Sequence, residues 1–160
     1  MDIFGDFSRV IIFIHIISAS LLTGSMFMAR FVMKPVLDSI DDEAVRYSRY
    51  INILNRYFFY VLIMMLFIIT ASLTMIVGLG FEQADPTIYS LIHVKEALWV
   101  FIAFNFIYMY IKLIQAKKFL KTREFFEVDE NIKLITAYLI PLNLILALIA
   151  AYIGVIVRGF

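Results

Sequence analysis

The sequence predicts an all-α fold: an integral membrane four-helix bundle, one domain over residues 1–160, with both termini in the periplasm. Three observations carry that expectation. The chain is 63% hydrophobic, whereas a soluble domain is roughly 45–50% apolar. The surplus falls in blocks near 7–29, 57–79, 88–114 and 134–157, each long enough for the ~20 residues a helix needs to cross hydrocarbon. The basic residues are lopsided. Of the 14, eleven lie between the first and second blocks or from the last turn of the third to the fourth, and loops of that kind stay in the cytoplasm.

Composition also excludes. A net charge of +1 gives no reason to expect nucleic acid. With no cysteine there is no disulfide, thiolate zinc site, iron–sulfur cluster or covalent haem attachment. Asp2 and Asp6 stand where a cleavable signal peptide would carry basic residues, so the first block reads as a retained span. The implied location is a bacterial inner (cytoplasmic) membrane, crossed several times. Membrane lipid is the implied surround, and association with further copies of the chain stays open.

In the first span Val10–Ala29 is free of formal charge, and its helix is expected to run through Arg30 and break near Pro35. At 100° per residue, His15, Ser18, Ala19, Leu22, Thr23, Met26 and Arg30 share one face, which should look into the protein. Ser20 and Gly24 form a small-xxx-small pair suited to close helix approach. The acidic run Asp38 to Glu43 reads as a turn and a helix start. Tyr47, Tyr50, Tyr57 and Tyr60 read as an interfacial belt ahead of the charge-free Tyr57–Leu79. Gly78-Leu79-Gly80 through Asp85-Pro86 reads as a short loop. The third span carries Asn105 near its middle. The fourth contains Pro141, expected to kink it, with Asn143 beside the gap. The two asparagines read as interhelical hydrogen-bond partners. Met26 and Met28 suggest thioether binding of copper. Met26, however, lies about 16 Å along the helix from His15, and packing is the expected role.

Chemistry is expected at residues 88–99. His93, Lys95 and Glu96 stand at the mouth of an apolar run, where ionisable groups are costly and mark functional sites by default. The other histidine, His15, lies just inside the same end of the first span. Two helices presenting nitrogen donors at matching depth suit a non-covalent haem b. His93 and Lys95 point about 160° apart on a helix, so only one faces His15 squarely. A histidine pair is the commoner arrangement, while a lysine ligand needs the neutral amine that apolar surroundings favour. Spacing leaves that choice open. Plainer readings are a His15 ring bonded to a carbonyl, a water-exposed His93, and Lys95 and Glu96 snorkelling at the span's end. The basic loops would attract anionic lipid headgroups.

Leu91-Ile92-His93-Val94-Lys95, opening a span, resembles the Leu-His-x-Lys signature of the HemJ family of membrane-embedded protoporphyrinogen oxidases. His15-Ile16-Ile17, then Gly24, then Arg30-Phe31, resembles that family's first span, and Asn55-Arg56-Tyr57 resembles its approach to the second. The resemblance implies a b-type haem held by His15 and Lys95, with His93 a neighbour of unassigned role. It further implies oxidation of protoporphyrinogen IX and electron transfer to a quinone or another respiratory-chain partner. Arg9 and Arg158 would then suit haem propionates, because guanidinium matches carboxylate, and Arg30 and Arg56 would meet an anionic tetrapyrrole substrate. The chain departs from the pattern at Asn105-Phe106, where the family has Tyr-His, and it lacks the Arg-x-x-Asn-Glu stretch before the fourth span. Those departures keep open a non-catalytic cytochrome b-like electron carrier or haem-handling protein. A copper-transport or accessory subunit, from the wider copper-resistance protein D-like group, is the third reading.

Overall fold

The computed structural model describes the backbone of residues 3–79 and 85–158, and almost all of it is helical. Helix α1 (Ile3–Met28) continues through a π-helical stretch, Ala29–Met33, into α2 (Lys34–Asp38). Helices α3 (Glu43–Leu79) and α4 (Pro86–Thr122) follow. The short α5 (Phe125–Lys133) runs through a second π-helical stretch, Leu134–Leu139, into α6 (Ile140–Arg158). The 4 rods so formed are each long and apolar enough to cross a membrane. This is a multi-pass membrane protein.

The helix ends follow from local chemistry. Asp42, from the acidic run, accepts the Val45 N–H at 2.9 Å. Asp85 caps α4 by accepting the Thr87 N–H at 2.8 Å, a bond that holds its carboxyl below the ordinary carboxylate value. Pro86 follows in the first turn, where its missing donor is not needed. At the far end of α4, Arg123 takes the left-handed conformation at φ 59° and its N–H reaches the Leu120 and Phe119 carbonyls. The loop expected from Gly80 onward lies outside the described residues.

The expected break near Pro35 is not found, since the rod runs on to Asp38; just ahead of Pro141 the helix opens into a wide turn. Each proline is preceded by π-helix: Lys34 N–H bonds Ala29, and Ile140 N–H bonds Ile135, each five residues back. An interior proline lacks a donor and crowds the carbonyl four residues back, and a wide turn just ahead relieves that crowding. The two π-helical stretches lie against each other.

Helix α1 packs on α3 and α6, and α4 packs on the same two, so α1 and α4 stand at opposite corners of a square bundle. The expected inward face of the first rod is realised: His15, Ser18, Leu22 and Met26 are buried, and Ala19, Thr23 and Arg30 are half-buried. Met28 points outward, so the two methionines share no face, and Met26 is core packing. Ser20 and Gly24 are exposed, and a Cβ on Gly24 would meet nothing within 4 Å. Within this chain the small-residue pair brings no helix close, because it sits on the opposite flank from His15.

The tyrosine belt is also corrected. Tyr47 and Tyr50 belong to the core, Tyr57 packs against it, and only Tyr60 points outward. The reason is the length of α3. At 37 residues it is about 55 Å long, well beyond the ~30 Å of hydrocarbon. Its surplus precedes Tyr57 and packs on α5 and α2: Tyr47 stacks on Phe125 at 6.0 Å, and the Tyr50 hydroxyl donates to Asp38 at 2.6 Å.

Candidate functional site

Helix register sets the depth of the site. Asn105 on α4 donates to Asn143 on α6 at 2.9 Å, and Phe58 on α3 meets Phe106 edge-on at 6.4 Å. Ten or eleven residues from these points toward the end that carries the termini, about 15 Å further, each helix reaches the same level. There stand Lys95 on α4, Gly154 on α6 and Ile68 on α3. His15 of α1 completes the layer, its ring beside the Ile68 carbonyl.

His15 is only 8% exposed, and its Nδ1 is buried without a hydrogen-bond partner. Lys95 stands in the same layer on α4, the helix diagonal to α1. A Cβ built on Gly154 would stand 3.4 Å from the Lys95 Nζ and 3.9 Å from its Cε. The lysine arm therefore rests on bare backbone of α6. One turn deeper on the same face of α4, the Trp99 Nε1 is also buried and unpartnered. Among the described residues, neither His15 nor Lys95 forms an ion pair.

His93 is turned the other way. It is exposed, its Nδ1 meets Glu96 Oε2 at 3.3 Å, and its ring lies on Tyr89 at 4.3 Å between centroids. The angle between residues two apart on a helix explains the division: with Lys95 facing inward, His93 faces the perimeter. His93 is thus not brought to His15, and Lys95 is. Arg9 is exposed, and the Arg158 side chain lies outside the described residues. Arg56 is exposed and Arg30 half-buried, both at the basic end, with Arg30 about 22 Å along α1 from His15.

A buried polar group left without a partner costs about 1–3 kcal/mol. Two such groups, together with an unpaired lysine, occupy one end of this interior. What they offer is nitrogen: an imidazole on α1 and an amine on α4 at one level of the bundle, with an indole N–H donor one turn deeper. Among the described residues no group of three His, Cys, Asp or Glu could hold a metal ion. Two nitrogens at one level suit instead a metal that brings its own equatorial donors, which is the situation of a haem iron. The residues present therefore fit that group. Asn105 and Asn143 hold each other as the sequence suggests, although the fully buried Asn143 keeps its Nδ2 unpaired. Sequence reasoning missed Gly154 entirely, because one glycine in a long apolar run carries no signal of what it touches.

No protein-family model, no curated protein and no solved structure matches this chain.

Proposed function

We propose that this chain is a haem b-binding redox protein of a bacterial inner membrane, with its basic end in the cytoplasm and both termini in the periplasm. The observation that carries the reading is the buried His15 Nδ1 left without a partner, in the same layer of the bundle as the Lys95 amine, which rests on Gly154. His15 and Lys95 are the groups that would hold the iron. The bare backbone at Gly154 leaves the amine its place. Trp99, whose buried Nε1 has no partner, would have an N–H to give to a bound group. Arg9 and Arg158 belong to the same end and suit the propionates. Bound there, a haem supplies one-electron transfer between a reduced substrate and a membrane acceptor such as a quinone.

The reaction this reading favours is oxidation of protoporphyrinogen IX, on the likeness of the His15–Arg30 and His93–Lys95 stretches to the HemJ pattern. A second reading has its own support. Phe106 stands where that pattern has a histidine, and its neighbour Asn105 is tied to Asn143, which suits a cytochrome b-like carrier or haem-handling protein without catalysis. An absorption spectrum of the detergent-purified protein tests haem binding. Restoring porphyrin oxidation to cells lacking their own oxidase separates enzyme from carrier: restoration supports the first, and a Soret band without restoration supports the second.

A further inference from the structure

At the basic end, α2, the first turns of α3, α5 and the second π-helical stretch close round a cavity of about 200 Å³. Its floor is built of hydroxyls. Tyr47, Tyr50 and Thr136 are exposed by only 3%, 2% and 1%. Each is fixed by a bond: Tyr50 donates to Asp38 at 2.6 Å, Tyr47 accepts from Arg46 at 3.3 Å, and Thr136 donates to the Ile132 carbonyl at 2.9 Å. The charged wall comprises Lys34, Arg46 and Lys133 against Asp38 and Asp129. These cations arrive from separate segments, after the first π-helical stretch, early in α3 and at the end of α5, so the tertiary fold assembles them.

The charges do not cancel. Lys34 pairs with Asp38, and Lys133 with Asp129 at 3.1 Å. Arg46 has no carboxylate of its own on the wall. Its nearest is Glu43 at 3.5 Å, a side chain 54% exposed that lines a different hollow. Yet the guanidinium is held firmly, by the Ile40 carbonyl at 3.2 Å and by the Tyr47 hydroxyl. A fixed guanidinium flanked by two lysines over a hydroxyl floor is the chemistry that recognises phosphate. The two π-helical stretches add a second sign, since such turns recur at ligand sites. One ends beside Lys34, and the other carries Thr136. We propose that this cavity is a binding site for a phosphate-bearing anion, held by Arg46 with Lys34 and Lys133 at its sides. It lies beyond the charge-free core of the spans, at a level that a phospholipid headgroup and a soluble phosphate both reach. The site is at the opposite end from His15, and its test needs no haem.

The experiment is thermal unfolding of the full chain in a neutral detergent at constant ionic strength. One arm adds phosphatidylglycerol, with phosphatidylcholine as its control, and the other adds inorganic phosphate, with chloride as its control. Near ten times Kd the expected rise in Tm is about 3–6 °C. A rise with phosphatidylglycerol alone assigns the site to a lipid headgroup, and a rise with phosphate alone assigns it to a soluble phosphate. Arg46→Gln should lose most of the rise. Because Arg46 also supports the fold, Lys133→Gln and Asp129→Asn are run beside it, the first expected to weaken binding several-fold and the second to strengthen it. No rise in either arm, or a rise that none of the three variants changes, overturns the proposal.

Discussion

Gly154 gives the sharpest prediction about the nitrogen pair. An alanine there would place its Cβ 3.4 Å from the Lys95 Nζ, only a few tenths of an ångström inside a comfortable contact of roughly 3.5–4.0 Å. The flexible lysine arm absorbs that. A leucine would send three further carbons through the space the amine holds, so Lys95 must leave the layer it shares with His15. If Lys95 is the partner ligand, Gly154→Ala should bind haem within a few-fold of the wild type. Gly154→Leu should lose affinity by about 10–100-fold, the range seen when a ligand's support is removed. The assay is titration of haem into apoprotein in detergent, followed at the Soret maximum, with Lys95→Met alongside. Gly154→Leu should match Lys95→Met in both affinity and spectrum. If Gly154→Leu keeps wild-type affinity and band position, Lys95 does not ligate the iron and the diagonal pairing is wrong.

Further outcomes follow from the same geometry. Asn105→Leu leaves the fully buried Asn143 without any partner and should cost more stability than Asn143→Leu, each by about 0.6–1.7 kcal/mol in detergent unfolding. Equal and negligible effects would remove the bond from the account. The Asp85 cap has a folded-state carboxyl below its ordinary value, so its contribution is present above the ordinary carboxylate pKa and lost as pH falls through the depressed one. Hydrogen exchange at the Thr87 amide should therefore accelerate over that acidic window, beyond the change in intrinsic rate, and Asp85→Ala should abolish the pH dependence. The chain has no cysteine, so single substitutions report its orientation. In intact cells Thr87→Cys should react with an impermeant thiol reagent and Lys121→Cys only after lysis; the reverse pattern would invert the topology.

How much of this was legible in the sequence differs by residue. The spans and the inward face of α1 were readable because apolar periodicity is a local property, and the stripe from His15 to Met26 is buried as its spacing requires. The Asn105–Asn143 bond was readable because an amide in an apolar span needs a partner. The choice between His93 and Lys95 was not. Their separation says that one faces inward, but only the packing of α4 against α6 decides which. Pro35 was misjudged, since a π-helical turn accommodates a proline as well as a break does, and nothing local distinguishes the two. Tyr47 and Tyr50 looked interfacial because they precede the apolar run of α3, but the helix start in the acidic run is borne out at Glu43, and the turns before Tyr57 pack on α2 and α5 rather than facing the membrane surface. The Arg46 cavity was invisible because its cations are distant in sequence and meet only when α2 and α5 pack on α3.

The central claim meets its most direct test in the absorption spectrum of the protein purified in mild detergent from haem-replete cells, recorded for wild type, His15→Ala and His93→Ala. The account predicts a Soret band in the wild type, its retention in His93→Ala and its loss in His15→Ala. A wild-type protein with no Soret band, or a band that His15→Ala leaves unchanged, would contradict it.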